Sequence, residues 1–242
     1  MQRLYINPIF KKRLNDLQCC DFKSLSALTS DGDLIAHDKG RTTHRLELAG
    51  ETYYLKSVHK AIIGPSIESL LSLRMPHHYC WREMIQVNAL ASADISVMQV
   101  AATGEHSRRG VLDYSFLLTP EVPGELLDKV FEQADRDQQA RLLSSLGELI
   151  GRLHSHGFFT SVRMKDVIVD SAGKFTLIDR ETRKPGARRV NPRKAVNGLA
   201  RTLRRQSRDG MTLDPEQLQT HLQAYLTTAP LSITVEQLKK LV

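Results

Sequence analysis

The chain has few cysteines and no long apolar segment. Only three of its 242 residues are cysteine, which is too few for a disulfide framework, and no Cys or His partners stand at the spacing of zinc ligands. No apolar run approaches the roughly 20 residues that are needed to span a bilayer. The first residues lack the apolar core of a signal peptide. We therefore expect a cytoplasmic protein with reduced thiols.

Acidic residues are scarce between residues 180 and 208, where Glu181 is the only carboxylate. The whole chain carries a formal net charge of +7, which indicates an anionic partner. Two interpretations stay open for this basic stretch: a solvated face, or an anion-binding rim. The rim residues would be Arg180, Arg183, Lys184, Arg188 and Arg189. Nucleic acid is not expected, because no helix-turn-helix and no strand pattern studded with aromatic residues accompanies the charge.

Short β-rich segments fill the first half of the chain. Residues 34–36, 43–48 and 52–58 are separated by the turn residues Lys39-Gly40 and Ala49-Gly50, and they predict a three-stranded antiparallel meander. Further predictions are helices over 65–72 and 81–90, strands over 95–103 and 114–119, and a polar turn over 104–110. Residues 1–30, which have loose helical spacing, are interpreted as an N-terminal extension.

The second half is mostly helical. Residues 138–154 carry leucines at helical spacing, and residues 167–178 read as a short hairpin. Helices are predicted over 197–205, 215–226 and 235–241, and a hinge near 120–123. The expected fold class is α+β with two lobes. Residues 31–120 would form a five-stranded antiparallel sheet with a helix, and residues 121–242 a helical lobe.

A strand lysine precedes a helix glutamate in this pattern. Lys56 has apolar neighbours, and a lysine that faces a buried cleft requires a negative partner, for which Glu83 is available. Each residue alone is more often a surface charge. The order of strand lysine, helix glutamate, two strands, hinge, long helix, hairpin and Asp179 favours a site for phosphoryl transfer.

The same segments resemble the bacterial lipopolysaccharide kinase family, the heptose and Kdo kinases of the lipopolysaccharide core, which have a protein-kinase-like fold. The resemblance extends from about residue 34 to residue 205, and it depends on the order and spacing of several motifs. The matching motifs include Tyr54-Leu55-Lys56, Trp81-Arg82-Glu83, Pro120-Glu121-Val122-Pro123-Gly124, Gly157-Phe158 and Leu177-Ile178-Asp179. No glycine-rich phosphate loop is present, and residues 37–42 stand in its place.

The resemblance implies that the protein binds ATP and Mg²⁺. It implies that Lys56 binds phosphate groups and that Glu83 holds that lysine. The hinge that meets the adenine would include Glu121 and Val122. The implied metal ligands are Asp179 and Asp166. The basic stretch would face an anionic glycolipid or a membrane surface.

The predicted catalytic loop departs from the family pattern. Ser161 falls where a kinase has its catalytic aspartate, and one residue is missing before Gly157-Phe158. A serine hydroxyl has no useful basicity at neutral pH. The sequence therefore leaves open whether the protein is an active enzyme, and it identifies no catalytic base.

Three hypotheses stay open. The first is an ATP- and Mg²⁺-dependent kinase that phosphorylates heptose or Kdo at the inner face of the inner membrane. The second is a pseudokinase that acts as a scaffold or regulator of a true lipopolysaccharide kinase. The third, supported only by the shared fold, is a kinase of the aminoglycoside or choline type, acting on a small soluble alcohol.

Overall fold

The computed structural model describes residues 1–60, 77–108 and 111–242, and these residues fall into two units. The described part of the first unit comprises residues 1–60, 77–89, 97–108, 111–122 and 179–185. Its elements are β1 (Gln2–Ile6), α1 (Pro8–Asp16), α2 (Phe22–Ala27), β2 (Asp33–Asp38), β3 (Arg41–Leu48), β4 (Glu51–Val58), most of α3 (Tyr79–Ala91), β5 (Ala102–Arg108) and β6 (Val111–Pro120).

The second unit comprises residues 90–96, 123–178 and 186–242. Its elements are β7 (Glu125–Leu126), α4 (Leu127–Gln133), α5 (Arg136–Ser155), β8 (Val167–Val169), β9 (Phe175–Leu177), α6 (Pro192–Arg208), α7 (Pro215–Thr228) and α8 (Val235–Lys239). Short 3₁₀ turns occur at Leu28–Ser30 in the first unit and at Met164–Asp166 in the second.

The first unit is built on an antiparallel sheet with the strand order β1-β5-β6-β4-β3-β2. The predicted meander is confirmed as β2, β3 and β4. Its two turns are Lys39-Gly40, with φ of 45° and 80°, and Ala49-Gly50, with φ of 51° and 78°. Two consecutive residues with positive φ match the right-handed twist of the flanking strands, which explains the tight hairpins.

Among the described residues, the sheet has six strands where five were predicted. The additional strand, β1, comes from the residues that were interpreted as an extension, and it pairs with β5 from Gln2↔His106 to Ile6↔Ala102. The strand predicted over residues 95–103 begins only at Ala102, and the polar turn predicted over residues 104–110 is wrong for residues 104–108, because β5 extends from Ala102 to Arg108. Polar residues are tolerated there because they find partners: Glu105, for example, pairs with Arg3 on β1.

The helices that follow β1 contribute to the core of this unit. Phe10 and Leu14 of α1 and Leu25 of α2 join Tyr53 and Leu55 of β4 in one buried cluster. At roughly 25 cal/mol per Å² of apolar area buried, contacts of this kind are the main stabilising contribution to a fold. Residues 1–30 thus pack on the sheet.

The second unit is organised by close packing of α5 against α7. A Cβ atom at Gly147 would meet the backbone of His221 and Tyr225, and one at Gly151 would meet the Tyr225 carbonyl and the Thr228 hydroxyl. The two glycines are four residues apart and therefore lie on one helix face. They let the two helix backbones approach each other closely.

The helices predicted over residues 138–154, 197–205 and 215–226 are confirmed with longer bounds, and the helix predicted over 235–241 is confirmed but ends earlier, at Lys239. The hairpin is β8 and β9, and it gains β7 as a third strand through the pair Glu125↔Val169. Helix α4 was not predicted. The helix predicted over residues 65–72 lies outside the described residues. None of the helices in the described ranges is both long and apolar enough to cross a membrane.

Candidate functional site

Lys56 lies on β4, between β3 and β6 in the sheet. It pairs with Thr43 on one side and with Leu117 on the other. Its neighbour Leu55 is fully buried in the core. Since successive side chains of a strand point to opposite faces, the side chain of Lys56 leaves the sheet on the face opposite the core cluster.

Glu83 on α3 is the first partner of Lys56. The Nζ atom of Lys56 lies 2.8 Å from Oε2 of Glu83, and the Glu83 side chain is only 2% exposed. A buried carboxylate without a partner is costly. The predicted pair of strand lysine and helix glutamate is therefore formed within the first unit.

Asp179 is the second partner. The Nζ atom of Lys56 lies 2.6 Å from Oδ1 of Asp179, whose side chain is 55% exposed. The backbone of Asp179 has φ of 49°, in the left-handed region. Aspartate tolerates this region better than most residues because its short polar side chain bonds locally. One oxygen of Asp179 holds the lysine, and the carboxylate remains accessible to solvent.

These charges determine the protonation state of the lysine. Burial by itself would lower the pKa of Lys56, but the attraction to Glu83 and Asp179 outweighs it and raises the pKa above the ordinary value for lysine. The ammonium group therefore stays charged at neutral pH. A permanent cation beside an accessible carboxylate is suited to binding a polyphosphate together with a metal ion.

Glu121 and Val122 follow directly after β6 in the first unit. The hydroxyl of Tyr54 donates a hydrogen bond of 2.9 Å to Glu121 Oε1. The Glu121 backbone N–H donates to the Thr52 carbonyl at 2.9 Å. An adenine at this segment would therefore have to bind through other backbone groups. The role of Glu121 and Val122 as a hinge stays a prediction.

Ser161 belongs to the second unit and is 9% exposed. Its hydroxyl oxygen accepts a hydrogen bond of 2.8 Å from Nη1 of Arg205 on α6. The next residue, Val162, donates its backbone N–H to the Thr202 hydroxyl at 3.2 Å. Two contacts thus attach this segment to α6, and one of them brings a cation to the position expected for a catalytic aspartate.

Asp166, the second predicted metal ligand, is held by an arginine. Arg163 donates to Asp166 through Nε at 3.0 Å, through Nη2 at 2.7 Å and through its backbone N–H at 3.1 Å. These bonds engage both carboxylate oxygens. A metal ion at Asp166 would have to displace the guanidinium of Arg163.

The described ranges contain no cluster of three His, Cys, Asp or Glu side chains that could hold a metal ion. Mg²⁺ in phosphotransferases is usually bound by one or two carboxylates together with the phosphates of the substrate. The accessible carboxylate of Asp179 fits this requirement in its chemistry. Asp166 fits it less well because Arg163 already occupies its oxygens.

The predicted anion rim needs one correction. Arg180 is only 4% exposed, and its guanidinium does not belong to an exposed surface. The other four predicted rim residues, Arg183, Lys184, Arg188 and Arg189, are exposed. The first two belong to the first unit and the last two to the second.

Two contacts of this region were missed by the sequence analysis. One is the hydrogen bond from Arg205 to Ser161, and the other is the ion pair between Arg41 and Glu181. The partners of the ion pair are 140 residues apart. A signal was present, since a single acid within a long basic stretch indicates a specific partner.

The chain is similar in sequence to known proteins. A model of the lipopolysaccharide kinase (Kdo/WaaP) family matches residues 26–225. The lipopolysaccharide core heptose(I) kinase WaaP of Pseudomonas aeruginosa is 26% identical over 162 residues, which are 64% of this chain and 59% of that protein. The protein of the same name from Escherichia coli is 31% identical over 94 residues, which are 39% of this chain and 36% of that protein. The chain thus spans about three fifths and about one third of the lengths of these two relatives.

A solved structure described as WaaP in complex with acyl carrier protein has a similar fold. Its TM-score is 0.66, with 18% sequence identity, and the match covers 98% of this chain and 92% of that chain. This likeness confirms the predicted α+β, protein-kinase-like fold.

Proposed function

The chain belongs to the lipopolysaccharide kinase (Kdo/WaaP) family, and from this premise we propose that it is an ATP-dependent kinase of lipopolysaccharide core biosynthesis. The reaction would transfer a phosphoryl group from ATP to a hydroxyl of a core sugar. Heptose is the favoured acceptor, because the relatives are named heptose(I) kinases. Kdo is the second candidate, because the family description includes it.

The observation that carries the proposal is the cluster of Lys56, Glu83 and Asp179. Phosphoryl transfer depends mainly on the positioning of the phosphates and the neutralisation of their charge. Lys56, kept charged and oriented by Glu83, would bind the phosphates. Asp179 would hold Mg²⁺, which neutralises phosphate charge when bound. Glu121 and Val122 would contact the adenine.

The acceptor would be an anionic glycolipid. The exposed cations Arg183, Lys184, Arg188 and Arg189 support this choice, since exposed positive charge attracts phosphorylated glycans and anionic membrane surfaces. Such an acceptor would place the enzyme at the inner face of the inner membrane as a peripheral protein.

A missing base does not exclude transfer. The transition state is loose, and charge neutralisation is the larger contribution to catalysis, whereas general base catalysis contributes about 10²–10⁴-fold. With Ser161 beside Arg205, we expect a slow enzyme.

The contacts of the second unit favour an alternative, a pseudokinase. Arg205 hydrogen-bonds to Ser161, and Arg163 engages Asp166, so that two positions that serve catalysis in kinases are bound to arginines. Such a protein would keep nucleotide binding and act as a scaffold or regulator of a true lipopolysaccharide kinase. An acyl carrier protein, the partner named for the solved structure, is a second candidate partner.

Thermal stability measured with ATP, with and without Mg²⁺, tests the nucleotide site. A ligand at 100 times its Kd stabilises the native state by about 2.7 kcal/mol. We expect a Mg²⁺-dependent shift in the native protein and none in the Asp179→Asn variant. Absence of a shift at millimolar ATP in the native protein would contradict both the kinase and a nucleotide-binding pseudokinase.

An acceptor assay separates the two functions. Radiolabelled ATP is incubated with lipopolysaccharide core that lacks phosphate on heptose, and in parallel with core that lacks it on Kdo. Label on one of these acceptors that disappears with Asp179→Asn supports the kinase and identifies the sugar. Binding of ATP without labelling of either acceptor supports the pseudokinase.

A further inference from the structure

Arg41, the first residue of β3, contacts both elements that carry the partners of Lys56. Its guanidinium donates two hydrogen bonds to the Glu181 carboxylate, Nη1 to Oε2 at 2.8 Å and Nη2 to Oε1 at 3.2 Å. The same guanidinium lies over the ring of Tyr79, with Cζ 4.7 Å from the centroid. A bidentate pair fixes orientation as well as distance.

Each of these contacts leads to one partner of the lysine. Glu181 follows Asp179 by two residues. Tyr79 precedes Glu83 by four residues on α3, and residues four apart lie on the same helix face. One guanidinium therefore connects the segment that carries Asp179 with the helix turn that precedes Glu83.

The sheet places Arg41 on the same face as the lysine. Thr43 pairs directly with Lys56, and directly opposite residues of an antiparallel pair point to the same side. Arg41 is two residues from Thr43 on β3, so its side chain leaves the sheet on that side too. All six residues of this arrangement belong to the first unit: Arg41, Lys56, Tyr79, Glu83, Asp179 and Glu181.

The segment after Asp179 needs such support. Residues 178–185 contain neither helix nor strand, so no regular hydrogen-bond ladder fixes them. Asp179 itself has a left-handed backbone conformation, which persists only where the surroundings hold it.

We propose that Arg41 is a positioning residue that holds Asp179 and Glu83 in place around Lys56, through Glu181 and Tyr79. The inference rests on the proposed nucleotide site and adds a residue that neither the sequence motifs nor the predicted phosphate loop includes. Arg41 acts on the ligand only through Asp179 and Glu83.

The test is a Mg²⁺ titration at fixed ATP concentration. It measures the Mg²⁺ concentration at which MgATP binding to the protein is half-maximal. The variants are Arg41→Lys, Arg41→Gln and Glu181→Gln. Arg41→Gln and Glu181→Gln should raise that concentration about tenfold, at the lower end of the 10–100-fold effects seen when support for a metal ligand is lost. Arg41→Lys should resemble Arg41→Gln, because lysine keeps the charge but loses the bidentate fork and the stacking.

Two further measurements separate positioning from other roles. ATP affinity without Mg²⁺ should stay unchanged in Glu181→Gln, whereas a general folding defect would lower it. Arg41→Glu alone and Glu181→Arg alone should each weaken the Mg²⁺-dependent binding. The double variant, in which the two charges are swapped, should recover part of it. The matched control is Arg136→Gln, which removes an arginine paired with Asp214 and Glu216 in the second unit.

Several results would overturn the proposal. If Arg41→Lys binds MgATP like the native protein while Arg41→Gln does not, Arg41 contacts phosphate directly. If all three variants behave like the Arg136→Gln control, Arg41 has no role at the site.

Amide hydrogen exchange of the ligand-free protein distinguishes failure of this inference from failure of the proposed function. Exchange should increase in the first turn of α3 and over residues 178–184 in Arg41→Gln, and should not change there in Arg136→Gln. If the native protein binds no ATP, the proposed nucleotide site is wrong, but a changed exchange pattern still supports the positioning role of Arg41. Unchanged exchange in Arg41→Gln overturns that role whether or not ATP binds.

Discussion

The two units use charge differently. In the first, Lys56 is a cation held between two carboxylates, Glu83 and Asp179. In the second, Ser161, which is predicted to stand where a kinase has its catalytic aspartate, accepts a hydrogen bond from Arg205. The first arrangement suits a polyphosphate with a metal ion, and the second supplies no base. The difference is that the charge arrangement proposed for nucleotide binding is present, whereas the segment expected to activate the acceptor carries an arginine contact in place of a carboxylate.

The largest effect is expected from placing a carboxylate at position 161, which would remove the main difference between the two units. Ser161→Asp should raise turnover on the proposed sugar acceptor by up to about 10²–10⁴-fold, the usual contribution of a general base. Arg205 would pair with the new carboxylate and hold down its basicity, so Ser161→Asp with Arg205→Gln should gain more than the single change. The measurement is kcat for four proteins: the native protein, Ser161→Asp, Arg205→Gln and the double variant. Equal rates in all four would mean that this segment does not approach the acceptor.

The next largest effect concerns the buried ion pair of the first unit. Lys56→Met leaves Glu83 buried without its cation, and breaking a buried pair costs about 3–5 kcal/mol. The double variant Lys56→Met with Glu83→Leu should recover much of this loss, because the buried carboxylate is then removed as well and the remaining one, Asp179, is accessible to solvent. Urea unfolding of the single and double variants measures the difference. Additive effects of the two changes would show that the residues do not interact.

Asp179→Asn is the matched change at the accessible carboxylate. Asparagine keeps the size and tolerates the left-handed backbone, whereas alanine would add strain. Turnover should fall about 10²–10³-fold, as expected for the loss of one electrostatic contact to the reacting group, with little change in unfolding free energy. An activity equal to that of the native protein would exclude Asp179 as the metal ligand.

The smallest of these effects is the acid sensitivity of stability, which is expected from two buried histidines of the second unit. Burial lowers the pKa of His154 and of His221 to about 4 in each case. Below pH ~6.5 both histidines bind protons in the unfolded chain but stay neutral in the folded protein. The free energy of unfolding is therefore highest above that pH and falls as the pH drops toward 4. Each histidine should cost about 2 kcal/mol at pH 5 relative to pH 7.

Urea unfolding at both pH values checks this expectation. His154→Gln and His221→Gln should each remove about half of the pH dependence, because glutamine does not titrate. The native pH dependence retained in both variants would assign the acid sensitivity to other groups.

Local patterns were sufficient for much of the architecture. The leucines of α5 recur on one helix face, and Lys39-Gly40 and Ala49-Gly50 supply the left-handed residues that two-residue hairpins require. Such signals act between neighbours in the chain, so a single sequence carries them in full. The family resemblance was carried by motif order in the same way.

Long-range pairing was not predictable from these patterns. The polar residues of β5 favoured a turn, and only pairing with β1, about 100 residues away, makes them a strand.

The sequence by itself determined the kind of fold, the family, and the residue types present at the candidate site. Only the tertiary structure decided that Lys56 has two partners, that Arg180 is buried, that Arg205 reaches Ser161 and that Arg41 holds Glu181. The physical reason is that local propensity depends on neighbours in the chain. Charge pairing and burial depend on residues that meet only after folding, such as the 140 positions between Arg41 and Glu181.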